Sequence, residues 1–157
     1  MKISILLFVI FIFAASCGGG SHQSENPQMK NVNKAEENLT TYDPQRGEGK
    51  FKDVVVAVTI DEQLVKEGNK VYTVKCAACH KTTEEKLVGP GWLGVTKRRK
   101  PEWILNFATN PEAMIDKDPV LQAQLEICLV RMPNQNINDE EAKAVYEFMR
   151  KNDVKQK

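Results

Sequence analysis

The sequence predicts an all-α domain of four or so helices, preceded by residues that do not belong to the fold. Three observations carry this. Two apolar stripes recur at helical spacing, two helix-capping signals stand before helical segments, and the one β-branched run has no second strand with which to pair. At 157 residues the chain has room for one compact domain plus extras.

Lys2, the apolar run from Ile3 to Phe13 and the small residues Ala14, Ala15 and Ser16 read as an export signal over residues 1–16. The run is short for a membrane span, which needs roughly 20 apolar residues. From Gly18 to about Lys50 the composition turns to Gly, Ser, Asn, Gln, Glu and Lys, too polar to bury a core. Residues 17–52 are therefore expected to be a flexible linker, with a reach of roughly 30 Å, and residues 53–157 the folded domain. His22 lies in the linker among polar neighbours and is expected to be solvated.

Val54 to Ile60 has strand character and is expected to lie across the outside of the domain. After Asp61, Leu64, Val65, Gly68, Val71 and Tyr72 share one helical face, and this helix ends at a cysteine motif. Gly68 costs a helix roughly 1 kcal/mol relative to Ala. It marks a place where another helix or a ring comes close, and Tyr146 is a candidate for that ring. Pro101 to Thr109 forms a further segment with Trp103, Ile104 and Phe107, and Asp118-Pro119 starts a helix presenting Leu121, Leu125 and Cys128. Asn138 with Glu141 three residues on has the spacing of a capping box, ahead of the stripe Ala142, Val145, Tyr146 and Met149. The two terminal helices are expected to pack together.

Net charge is +1, from 22 basic and 21 acidic residues, so nothing global points to nucleic acid. The densest charge run, Lys97-Arg98-Arg99-Lys100, reads either as a solvated loop or as a docking patch for an acidic partner, with Arg131 contributing. Cys128, on the stripe with Leu121 and Leu125, is expected to be a buried thiol.

Cys76-Ala77-Ala78-Cys79-His80 is a C-x-x-C-H string, the attachment signature of a c-type haem. Two thiols three residues apart can form thioethers to two edges of a porphyrin, and the adjacent imidazole is carried to the iron. A structural zinc site needs four Cys or His ligands, and past the motif the chain offers only Cys128 and no histidine. A thiol redox pair wants a βαβ setting, whereas this motif follows a helix and precedes a Gly/Pro-rich loop. For a sixth ligand the candidates are Met114 in a loop after Asn110-Pro111, Met132 before Pro133, and Met149 on the last helix.

Over about residues 61 to 152 the chain resembles the class I cytochrome c family. The resemblance implies the class I fold around one covalent haem c, bound through Cys76 and Cys79 with His80 as axial ligand. Val88-Gly89-Pro90-Gly91-Trp92-Leu93-Gly94 is similar to the family's loop in which a proline carbonyl, here that of Pro90, accepts a hydrogen bond from the haem histidine. Trp92 supplies bulk against the haem. Met132-Pro133 resembles the family's ligand loop, which implies His80 and Met132 as the two axial ligands of the iron. Such a pair raises the potential and leaves no open coordination position, so the resemblance implies an electron carrier with no catalytic residues, no small-molecule substrate and no nucleic-acid partner.

Ala14-Ala15-Ser16-Cys17 resembles a bacterial lipobox with Ala14 in place of the usual Leu, implying a lipid on Cys17; ordinary cleavage near Ala15 is the alternative. The chain is thus expected on the periplasmic side as a membrane-anchored lipoprotein that takes single electrons from a membrane donor complex to a terminal reductase or oxidase. Val88 to Gln135 looks like the short lipoprotein cytochromes of Gram-negative bacteria, some of which serve nitrous oxide reductase. The alternatives are a haem-based sensor or the cytochrome subunit of a larger redox enzyme. A dihaem peroxidase would need a second C-x-x-C-H, and there is none.

Overall fold

The computed structural model describes residues 42–155. The expected export segment, Cys17, His22 and the expected linker as far as residue 41 lie outside the described residues.

Asp61 caps the first helix, α1 (Glu62–Val71), its Oδ1 accepting the backbone N–H of Gln63 at 2.8 Å and of Leu64 at 3.1 Å. The helix then widens into a π turn, Tyr72–Cys76, closed by the N–H of Ala77 on the Tyr72 carbonyl at 2.8 Å. Such local widenings often accompany functional sites, and this one leads directly into the C-x-x-C-H residues.

Four shorter helices follow: α2 (Val95–Arg98), α3 (Pro101–Thr109), α4 (Pro111–Ile115) and α5 (Pro119–Cys128). Three of them begin with proline, whose missing N–H is unneeded at that position. Asp118 caps α5 through its Oδ1, while its Oδ2 accepts the Trp103 indole N–H at 2.8 Å. Gly94 starts α2 with φ 75° and no side chain to cap with. The cap comes from elsewhere: buried Asp153 accepts the N–H groups of Gly94 and Thr96 and the Thr96 hydroxyl at 2.5, 2.9 and 2.6 Å.

The last helix, α6 (Asp139–Lys155), opens with the expected capping box, Glu141 N–H on Asn138 Oδ1 at 2.8 Å and Asn138 N–H on Glu141 Oε2 at 3.1 Å. It packs along α1, as expected. The close approach at Gly68 is to the α6 backbone and not to Tyr146: a Cβ there would run into the Ala144 carbonyl and stand 2.9 Å from the Phe148 Cβ.

One expectation changes. The linker does not extend to residue 52, because Tyr42 is buried with its hydroxyl on Asp118 Oδ2 at 2.7 Å. The buried Asn106 carboxamide also accepts the Phe51 N–H at 2.9 Å and donates to the carbonyls of Arg46 and Phe51. Val54 to Ile60 lies across the outside of the domain, as expected. It lies as a strap along α3 and α6, held by Val54 N–H on Glu102, by Arg150 on the carbonyls of Ala57 and Val58, and, just beyond it, by Asp61 N–H on Glu147. The all-α expectation holds, since the one β feature among the described residues is an isolated bridge between His80 and Lys86.

Candidate haem-binding site

The residues after the π turn form a tight knot, with the N–H groups of Cys79 and His80 both on the Cys76 carbonyl at 3.0 and 2.9 Å. The loop that follows is zipped back onto them: Gly89 N–H donates to the Cys79 carbonyl at 2.9 Å and Trp92 N–H to that of Lys81 at 2.9 Å. Tyr72 locks the knot from the helix side, its hydroxyl donating to the His80 carbonyl at 2.8 Å. This loop delivers the Pro90 carbonyl to His80 Nδ1 at 2.8 Å. A carbonyl can only accept, so Nδ1 carries the proton and Nε2 is left with its lone pair for a metal. Burial lowers the His80 pKa, partly countered by the Pro90 carbonyl, which keeps the ring in the neutral form that binds metals. Gly89 is required here, because a Cβ would stand 2.8 Å from Nδ1.

A cleft opens over this knot in two chambers, of about 470 and about 90 Å³. Cys76 lines the larger, Cys79 the smaller, and His80, Pro90, Phe107, Gln124 and Met132 line both. Cys76 is buried and burial pushes its thiol up to about 11, so before any bond is made to it the thiol is un-ionised at neutral pH. Trp92 is buried between Tyr72 and His80, with ring centroids 5.0 and 5.5 Å away.

The three candidate methionines separate cleanly. Met114 is wholly buried against Gly47 and lines neither chamber. Met149 lines the larger chamber from α6, and Met132 lies on the wall of both. Cys128 lines the smaller chamber with Leu121 and Leu125, as its stripe implies, but it is only half-buried.

The charge run divides. Lys97, Arg98 and Lys100 are exposed and Arg99 is half-buried; Arg98 and Arg99 also line the larger chamber, Arg98 donating to the Leu93 carbonyl at 2.7 Å and Arg99 standing 4.5 Å over the Trp103 ring. The run shows its charge plainly in the sequence, but no local pattern tells which of its members turn inward. Tyr72 and Gln124 are two more site residues that read in the sequence only as parts of helices.

The set fits a haem: two thiols on one turn, an imidazole with its outer nitrogen fixed, an apolar cleft, and two guanidinium groups suited to the porphyrin carboxylates. When bound, the haem supplies one-electron redox chemistry. The protein's part is to hold it by Cys76 and Cys79, to orient His80 and to keep the surroundings apolar.

Fold and site together define a small helical domain that attaches one haem through a single C-x-x-C-H. The cytochrome c family model matches residues 65–153. Cytochrome c from Rhodothermus marinus is similar in structure, with 32% identity over 69% of this chain and 92% of that one and a TM-score of 0.66. An engineered form of the Rhodothermus marinus protein has 30% identity over 71% of this chain and 99% of that one, TM-score 0.67. The same engineered protein bound to a carbene intermediate has 31% identity over 71% and 99%, TM-score 0.65. No curated protein matches the chain. The chain belongs to the cytochrome c family: it is a class I monohaem c-type cytochrome, a haem electron carrier.

Proposed function

We propose that this cytochrome is a lipid-anchored shuttle on the periplasmic side of a bacterial membrane, with His80 and Met132 as the two axial ligands of its iron. The observation that carries the ligand reading is the cleft itself: Met132 and the Pro90-oriented His80 stand on the walls of both chambers, whereas Met114 reaches neither. With His80 and Met132 both holding it, a bound haem would supply electron exchange and leave no open position for a substrate, which favours a carrier over a haem sensor or an enzyme.

Electrons pass between this chain and a membrane donor complex on one side and a terminal reductase or oxidase on the other. Nitrous oxide reductase is the acceptor to assay first, on the resemblance of Val88 to Gln135 to short lipoprotein cytochromes. An apolar rim supports docking at the smaller chamber, where Val88 and Val130 are 38% and 55% exposed beside Ile127 and Leu129, at 66% and 82%. Partners meeting such a rim depend little on salt. The exposed Lys97 and Lys100 offer the other docking face, for an acidic partner, and there the rate would fall steeply with salt. Replacing Lys97 and Lys100 with Gln and, separately, Leu129 with Lys decides which face is used.

The axial ligands are tested by absorption spectra in both redox states. The weak far-red band of thioether-bound ferric iron should be present and be lost in Met132→Ala; a band unaffected by that change would refute the ligand assignment. The anchor is tested by intact mass and membrane fractionation of the chain and of Cys17→Ser. A chain that stays soluble and lacks acyl mass would refute lipidation.

A further inference from the structure

Neither the haem nor the helices account for the composition of Val54 to Ile60. Six of its seven residues are β-branched, and no proline or charged residue interrupts them between Asp53 and Asp61. Such a run fits a strand, and an open strand edge is ordinarily blunted by lysine, proline or a bulge. Val54 and Val56 turn inward and pack on the core, while Val55, Ala57 and Val58 face out. Val55 and Val58 are each 97% exposed, as much as any large apolar side chain among the described residues.

The ties of this run go to α3 and α6: Val54 N–H donates to Glu102 Oε1 at 2.9 Å, and Arg150 Nη2 to the carbonyls of Ala57 and Val58 at 2.8 and 3.4 Å. Among the described residues, neither backbone group of Val55 or Val56 has a hydrogen-bond partner. The strap is thus an extended segment with an apolar outer side and unused backbone groups at its middle.

Its two ends are opposite in charge. Lys50 and Lys52 outweigh Asp53 before the run, and Asp61 and Glu62 follow it, all of them exposed. Lys50 and Glu62 also meet Asp139 and Lys151 within the chain, and Asp61 caps α1, which leaves Lys52 as the uncommitted charge. Laid antiparallel on a second copy, the basic end of each strap comes to the acidic end of the other; laid parallel, like ends would meet. A two-fold axis perpendicular to the strap produces the antiparallel arrangement, and two-fold dimers are the commonest oligomers. In backbone, outer side chains and end charges, the strap is complementary to itself.

We propose that this cytochrome pairs with a second copy of itself, strap against strap, as two antiparallel strands in which Val55, Ala57 and Val58 of the two copies shield one another. No residue of the strap lines either chamber of the cleft. The dimer therefore leaves both haem sites open to redox partners.

The test is sedimentation velocity of the full haem-loaded chain in a non-ionic detergent, over a concentration series up to the millimolar range and with a thiol reductant present. Cys17→Ser is run in parallel, so that association through an anchor is told apart. Both should show a dimer whose share grows with concentration. Val55→Lys/Val58→Lys should be monomeric throughout, with its haem spectrum and unfolding midpoint unchanged, because both side chains are already in water. Lys52→Glu and Glu62→Lys should each weaken the dimer roughly 3- to 10-fold, and the two together should restore it to within about 2-fold of the parent, since the exchanged charges still meet across the seam. A parent that stays monomeric throughout, or a dimer that survives Val55→Lys/Val58→Lys, overturns the proposal. So does a dimer that Cys17→Ser abolishes, which belongs to the anchor.

Discussion

Leu129 ends α5 in the left-handed region at φ 60°, with its side chain 82% exposed. An L side chain there costs about 1–2 kcal/mol, and so exposed a leucine recovers little by packing. Leu129→Gly should raise stability by about 0.5–1 kcal/mol, the gain being reduced by the freedom glycine has when unfolded; a urea midpoint checks it. His80 gives a prediction of another kind. The Pro90 carbonyl makes the imidazole a stronger donor, which favours ferric iron. Gly89→Ala forces the ring away from that carbonyl, so the reduction potential should rise, as measured by redox titration.

The crossing of α1 and α6 depends on a missing side chain. In an isolated helix Gly→Ala gains about 1 kcal/mol, yet at Gly68 the added methyl meets the Ala144 carbonyl. The collision outweighs propensity, and Gly68→Ala should cost about 1–3 kcal/mol in denaturant melts. The start of α6 adds a pH dependence. Lys75 first, then the Asn138 N–H, hold the Glu141 carboxyl below its ordinary value of 4.5. A carboxyl depressed in the folded state contributes stability that is present above its unfolded pKa and is lost as pH falls through the folded value. Between pH 7 and pH 3 Glu141→Gln should therefore lose less stability than the parent chain.

Across the molecule, the strap from Tyr42 to Ile60 ties the helices together from outside. Tyr42 meets the α5 cap at Asp118, Phe51 meets Asn106 on α3, and beyond the strap Asp61 meets Glu147 on α6. A hydrogen bond to a charged group contributes about 1.5–3 kcal/mol, so Tyr42→Phe should lower stability by that order and speed proteolysis within the strap. The haem is the larger element. Left unfilled, the cleft of about 470 Å³ leaves the apolar side chains that line it without a partner. The Cys76→Ser/Cys79→Ser double variant, unable to attach haem, should be largely unfolded by far-ultraviolet circular dichroism.

Several features are legible in the sequence by itself. The C-x-x-C-H string, the helix over Pro101–Thr109, the start of α5 at Asp118-Pro119 and the capping box at Asn138 and Glu141 each involve residues a few positions apart. Covalent attachment, proline geometry and capping are short-range rules, so the local order of amino acids settles them. Tertiary structure decided the rest. Tyr42 belongs to the fold because of Asp118, 76 positions on. Gly68 meets Ala144 and not Tyr146, Arg98 and Arg99 turn toward the cleft, and Met132, unlike Met114, reaches both of its walls. These outcomes follow from which distant surfaces come into contact, and contact between residues far apart in the chain leaves no periodic trace in the sequence.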